Sequence, residues 1–355
     1  MKAYMKTFIL LLTGVACCAT TSVSAETFEV WNSATNQTST VEIDSNLQIL
    51  EGYNPQGDIA RNAPDERGEF IPASVINGED WHQVDGNKWP YSAVTHIKAK
   101  GKSRCSGAMI GPSTVLTNAH CVYSDIQHES NKKNSGQMFN PYDLTVYAGG
   151  DSSPIVARAV RIYAAPGTSR LTWGTEFMKK DYAILVLDQP IGEKSGYFGA
   201  KSVNFKKGNA INVIGFPGTK NTKSPWLSPG KVTAVYPNYI YYDADVMGGN
   251  SGSPVFLKSD SQNIVAINSF GNDAPNDPYN GATHPSNLLS FINKYRNEQP
   301  TEAEKEDSNS YYEENNRQHV EEEIGNIGKR LNPKARSQNP TNEIVKKIQN
   351  FKLGM

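Results

Sequence analysis

Between Tyr91 and Ser269 the apolar positions come in short bursts separated by glycine, proline and asparagine. Tyr91-Ser-Ala-Val-Thr-His-Ile97 alternates as a half-buried strand does, and Ser106–Ile110 and Thr114–Thr117 follow across a Gly-Pro turn. Leu144–Ala148, Val156–Tyr163, Ala183–Leu187 and Ala210–Ile214 continue the series. Gly230–Val235, Tyr239–Asp243, Pro254–Leu257 and Ile264–Ser269 complete it. Strand signals at this spacing, with no long helical pattern between them, predict an all-β barrel or sandwich. A single closing helix is predicted over Leu288–Tyr295, where apolar residues recur at three and four after start signals in Pro285-Ser-Asn287.

The pattern fades on both sides of this region. Residues 26–74 are polar and rich in turns, with one candidate strand at Val41–Leu50, and composition fits a propeptide and a flexible arm equally. Beyond Glu298 the acidic and amide clusters Glu302–Asp307, Glu313–Asn316 and Glu321–Glu323 predict a flexible polar extension, residues 298–355. Such a segment buries too little apolar surface to offset the entropy of ordering. Within it, Ile344, Val345, Ile348 and Phe351 repeat as a weak amphipathic helix over Thr341–Phe351.

Composition adds limits. The 355 residues include 35 basic and 36 acidic side chains, and a formal charge of −1 points away from a nucleic-acid partner. Mean hydropathy is −0.54, low for a compact domain and consistent with polar flanks. Residues 1–25 read as an export signal: Lys2 and Lys6, then an apolar Thr7–Ala16, then the small-residue cleavage site Val23-Ser-Ala25. The apolar run is too short to span a membrane, so stable membrane insertion is not expected. Removing the signal takes Cys17 and Cys18 with it and leaves Cys105 and Cys121, an even pair best read in an exported protein as a disulfide.

The candidate chemistry lies in three places. Asp245-Val-Met-Gly-Gly-Asn-Ser-Gly-Ser-Pro-Val-Phe256 surrounds Ser251 with glycines that permit a tight turn and bring backbone N–H groups close to a ligand. An exposed nucleophilic Oγ beside such N–H groups is what an acyl-transfer site needs; a plain glycine turn into the next strand is the alternative. Leu116-Thr-Asn-Ala-His-Cys121 places His120 just past a strand, where a Cys105–Cys121 bridge would anchor a general base. Asp181, directly ahead of the apolar Tyr182–Leu187, supplies a carboxylate to orient that imidazole.

The order His120, Asp181, Ser251 on a β-rich chain resembles the chymotrypsin-like serine proteases. The strings Leu116–Cys121, Asp181-Tyr-Ala-Ile-Leu185, Gly215-Phe-Pro-Gly218 and Gly248-Gly-Asn-Ser-Gly-Ser-Pro-Val255 are similar to the bacterial glutamyl-endopeptidase branch. The resemblance covers about residues 75–296. It implies a double β-barrel with a C-terminal helix and a polar tail, a prosegment over 26–74 and a protease domain over 75–297. The mature chain would start at Val75 or Ile76. It also implies an oxyanion hole from the N–H groups of Gly249 and Ser251, and a substrate-binding wall from Val246, Asn268, Ser269, Phe270 and Gly271.

Two of these depart from the branch. Its glutamate-specific members carry a histidine where Asn268 stands and a hydroxyl residue where Val246 stands, and a buried carboxylate needs charged or hydrogen-bonding partners. Cleavage after apolar or small polar residues is therefore slightly favoured over glutamyl specificity, with His284 and the mature amine as the groups able to restore it. A catalytically silent binding or adhesion protein is the non-enzymatic alternative. No cofactor is implied, and His82, His96 and His128 show no metal-ligand spacing, so no metal is expected. The expected partner is a polypeptide substrate, and the expected protein is a secreted bacterial monomer.

Overall fold

The structure, a computed structural model, describes residues 26–57, 80–123, 137–167, 175–272 and 279–331. The export signal, Val75, Ile76, His128 and the repeat at 341–351 lie outside the described residues.

In chain order, β1 (Thr27–Asn32), β2 (Gln37–Glu42), β3 (Ile49–Leu50) and β4 (His82–Gln83) come first. Next are β5 (Val94–Ala99), β6 (Lys102–Gly111), β7 (Thr114–Thr117), β8 (Leu144–Ala148) and β9 (Val156–Ala164), then a single helical turn α1 (Thr175–Met178) and β10 (Ala183–Leu187). The turn α2 (Gly192–Ser195) and β11 (Gly199–Lys201) lead to β12 (Ala210–Gly215), β13 (Trp226–Val235) and β14 (Tyr239–Tyr242). After β15 (Pro254–Leu257), β16 (Asp260–Asn272) and β17 (Tyr279–Thr283) come two helices, α3 (Leu288–Tyr295) and α4 (Glu302–Leu331).

Strands β10-β7-β6-β5-β8-β9 form one antiparallel barrel, closed by the β9–β10 pairing. Strands β15-β12-β13-β14-β17-β16 form a second, closed by β15–β16. The chain is thus a chymotrypsin-like double six-stranded β-barrel, as the resemblance implies, with C-terminal helices. The alternation works locally as expected. In β8, Leu144, Val146 and Ala148 are buried while Thr145 and Tyr147 are half-buried. β10 is buried at every position, which explains its unbroken apolar run. In α3, Leu288, Phe291, Ile292 and Tyr295 form the buried stripe.

A polar contact ties the barrels together at His96. Its Nδ1–H donates to Asp151 Oδ1 at 2.7 Å, and its Nε2 meets Ser103 Oγ at 2.7 Å. Asp151 also accepts from Lys98 Nζ (2.9 Å) and from Thr222 Oγ1 of the second barrel (2.7 Å). Burial holds His96 below the ordinary histidine value and outweighs the pull of Asp151. For Asp151, burial pushes upward, but the hydrogen bonds from His96, Thr222 and Lys98 win and hold it low.

Both shifts have the same consequence. Below about pH 6.5 an unfolded histidine takes a proton that folded His96 refuses, so stability falls with pH from there; Asp151 adds a further loss as pH falls through its lowered folded value. His284, also held low by burial, contributes in the same direction. Thermal melts between pH 7.5 and 5 are expected to show a falling Tm, with a shallower slope in His96→Gln. An unchanged slope in that variant refutes the assignment.

Two expectations differ from the structure. Val41–Leu50 is not one strand: Val41 belongs to β2, paired with β1 in a hairpin, and only Ile49–Leu50 forms β3. The tail is not without order, because residues 302–331 form the continuous helix α4, docked on the first barrel by polar contacts. Ser308 Oγ bonds Asp188 (3.3 Å), Asn309 accepts from Arg158 (2.9 Å) and the Tyr311 hydroxyl donates to Asp143 (2.7 Å).

Candidate active site

His120 sits in a tight helical turn, Ala119–Val122, that begins where β7 ends. Four contacts hold this turn. Cys121 is bridged to Cys105 of β6. Asn118 Nδ2 donates to the Asp181 carbonyl at 2.8 Å. The Arg104 guanidinium donates to the carbonyls of His120 (3.0 Å) and Tyr123 (2.7 Å). The His120 N–H donates to Asp181 Oδ1 at 3.0 Å.

The imidazole meets the same carboxylate, with Nδ1 2.9 Å from Asp181 Oδ2 and 3.1 Å from Oδ1. Asp181 is fully buried. An isolated buried carboxylate would be costly. Here three donors surround it: the His120 N–H, the His120 Nδ1–H and the Ser269 hydroxyl, which donates to Oδ2. Because the carboxylate only accepts, Nδ1 carries the proton and Nε2 is left as the basic atom.

Ser251 lies in a compact turn between β14 and β15. Asn250 N–H donates to Met247 O and Ser253 N–H to Asn250 O, each at 2.9 Å. Gly249 (φ +101°) and Gly252 (φ +84°) occupy the left-handed region that favours glycine. A Cβ on Gly252 would also run into the Ser106 carbonyl and Thr117 Oγ1. Ser106, next to the bridged Cys105, holds this turn from the first barrel. Its Oγ donates to Gly249 O at 2.8 Å and its N–H to Ser251 O at 2.8 Å. Cys121 Sγ lies 3.7 Å from Ser251 O, so the disulfide sits between the histidine turn and the serine turn. Among the described residues, the N–H groups of Gly249 and Ser251 have no backbone acceptor.

His120 and Asp181 are thus in direct contact, and Ser251 is packed against their turn. Sequence reasoning did not find Ser106, Asn118 or Arg104 as supports. Ser269, expected in the substrate-binding wall, donates its side-chain hydroxyl to Asp181. Cys105, His120 and Cys121 bring a sulfur, a nitrogen and a sulfur within 4.8 Å, but both sulfurs are in the disulfide and offer no thiolate to a metal.

The residues expected to line the substrate site are placed as follows. Val246 is buried and packs beside Gly271, where a Cβ on Gly271 would lie 3.8 Å from Val246 Cγ2. Asn268 is buried, with Oδ1 taking the Tyr242 hydroxyl and Nδ2 donating to Asn250 O at 2.7 Å. Its amide is therefore occupied in bracing the serine turn. Asn280, missed in the sequence, is buried beside Gly271 and donates to Ala244 O at 2.8 Å. Phe270 stacks edge-on against Tyr239 and Tyr241. The His284 ring rests on Phe205 at 5.0 Å, and burial holds it below the ordinary histidine value. Upstream, the Asp80 N–H donates to Asp245 Oδ2 at 3.3 Å, which docks the incoming chain beside Val246.

A family model described as Trypsin matches residues 80–292, and the chain belongs to the trypsin family. Among characterised relatives it is 31% identical over 192 residues to a glutamyl endopeptidase of Bacillus licheniformis, covering 53% of this chain and 56% of that protein. It is 27% identical over 237 residues to a glutamyl endopeptidase of Staphylococcus aureus, covering 61% and 57%. The chain therefore matches little more than half the length of these relatives. A solved structure of a Glu endopeptidase in complex with MPD superposes with a TM-score of 0.51 at 28% identity, covering 62% of this chain and 98% of that one.

Proposed function

We propose that the protein is a secreted serine endopeptidase of the glutamyl-endopeptidase type, made with a signal over 1–25 and a prosegment over 26–74. The observation that carries the reading is the buried Asp181–His120 pair, clamped by the Cys105–Cys121 bridge against the turn that holds Ser251. In this reading Ser251 Oγ attacks the peptide carbonyl as His120 Nε2 takes its proton. The oxyanion is held by the N–H groups of Gly249 and Ser251, and His120 then protonates the leaving amine. Water enters, His120 removes its proton, and the acyl-enzyme is hydrolysed to regenerate Ser251.

Glutamyl preference is supported by the similarity to two glutamyl endopeptidases and by the docking of Asp80 on Asp245. The expected start at Val75 or Ile76 is four or five residues upstream, so chain of roughly 13–18 Å at most separates a new amine from this point. That amine would supply the positive charge a glutamate side chain needs once it leaves water. A second reading, cleavage after apolar residues, is favoured by Val246 and by the committed amide of Asn268.

The test is digestion of a diverse peptide library by the mature enzyme, read by mass spectrometry, with Ser251→Ala as control. Cuts after glutamate are expected, lost in the control. Cuts after apolar residues alone replace the glutamyl reading with the second one. An absence of cuts from correctly processed protein refutes the protease reading and leaves a binding protein.

A further inference from the structure

We propose that residues 26–57 are a permanent structural subunit of the folded protein, which stays bound when the chain is cut between 58 and 79 and does not act as an inhibitor of the active site. The segment lies outside the family match, which begins at residue 80. It is nevertheless built into both barrels.

On the first barrel, β1 extends the sheet at β9, with Trp31 opposite Ala164 and Asn32 opposite Tyr163. Ser33 reinforces this join twice: its N–H donates to Ile162 O at 3.0 Å, and its Oγ accepts from Ile162 N–H at 2.8 Å. Val30 and Val41, 1% and 8% exposed, belong to the same apolar core as the barrel. Phe28 packs edge-on against Phe291 of α3, and Asp44 N–H donates to Ser290 Oγ at 3.0 Å.

On the side of the second barrel, β3 pairs with β11, which runs parallel to β16. Ser202 N–H donates to Gln48 O at 2.9 Å, and Tyr53 and Tyr197 exchange N–H···O bonds of 2.7 and 3.0 Å. Arg296 is 7% exposed, and its guanidinium donates to the Glu51 carbonyl at 2.7 Å. Gln56 Oε1 accepts from the Trp89 N–H at 3.1 Å.

Losing the segment would uncover an apolar face, strip the hydrogen bonds from two strand edges and leave a buried arginine without this acceptor. Each of these disfavours the bare protease domain. The segment is also positioned away from catalysis. None of its described hydrogen bonds or strand pairings reaches His120, Ser251, Val246 or residues 268–271. The arm thus completes the fold without a described hydrogen bond or strand pairing to the candidate site.

The test uses the full chain carrying Ser251→Ala, with a recognition sequence for a site-specific protease placed within residues 58–79. This makes the result independent of whether the protein is itself a protease and of where it is naturally cut. After cleavage, verified by denaturing mass spectrometry, gel filtration and native mass spectrometry are expected to find both pieces together, with Tm within a few degrees of the uncut chain. Val30→Asp with Val41→Asp is expected to release the arm and lower the Tm of the remainder. A cut arm that leaves under native conditions while the remainder keeps its Tm overturns the proposal. So does a chain lacking residues 26–57 that melts where the full chain does. Inhibition of the active, processed enzyme by an added 26–57 peptide refutes the claim that the arm is no inhibitor.

Discussion

Asp181→Asn is expected to lower kcat/KM for peptide hydrolysis by about 10⁴-fold without loss of fold, the size of loss a wrong imidazole tautomer causes in this class of enzyme. The argument rests on the donors around the carboxylate. Oδ1 accepts from the His120 N–H and Oδ2 from the Ser269 hydroxyl, while Nδ1 lies within 3.1 Å of both oxygens. An asparagine keeps one acceptor, and the His120 backbone N–H claims it. The new NH2 group then faces Ser269 and the imidazole. The serine hydroxyl can turn and accept, but Nδ1 can accept only by giving up its proton, which places the remaining proton on Nε2. A histidine protonated at Nε2 cannot take a proton from Ser251. The check is kcat/KM alongside a thermal melt. A loss under 10-fold in a folded variant would mean that Asp181 only braces the His120 turn.

Residue types alone do not define such a site. Ser103, His96 and Asp151 form a second serine–histidine–aspartate chain with bonds of 2.7 Å at both ring nitrogens. What distinguishes Ser251 was legible in the sequence: glycines on both sides of it, and a histidine next to a bridged cysteine. The barrel strands were legible for a similar reason, since each buries one face or both and spaces its apolar residues accordingly. The supports of the site were not. Ser269 and Asp181 are 88 positions apart, and nothing local in either stretch announces their contact. The hairpin at the N-terminus escaped because β2 buries only Val41 of its six residues, leaving no alternation to read. The helix α4 escaped because it docks through charges and hydroxyls, where an apolar stripe would have been visible as a period.

That mode of docking makes Glu304→Ala the most damaging change expected away from the active site. Arg161 is 7% exposed and forked onto Glu304, with Nε 2.8 Å from Oε1 and Nη2 2.6 Å from Oε2. Its remaining nitrogen, Nη1, reaches Glu298 at 2.6 Å and the Tyr163 hydroxyl at 3.0 Å. The hydrogen bonds it donates to Glu304 raise the arginine pKa against its burial. For Glu304 itself burial pushes upward, but the bonds from Arg161 and Thr301 hold it low. The pair has already lost most of its hydration, so removing one member leaves a poorly compensated charge. Breaking a buried pair costs about 3–5 kcal/mol, and the surviving contact to Glu298, itself one-third exposed, places this variant at about 3 kcal/mol. In a chain of this size that lowers Tm by about 4 °C. Removing Glu298 as well should reach the upper end of the range. Arg161→Met combined with Glu304→Leu should recover much of the loss, because an apolar pair of similar volume carries no uncompensated charge. Thermal melts of these variants decide the matter. A Glu304→Ala protein that melts with the wild type would show that α4 rests on the barrel without stabilising it.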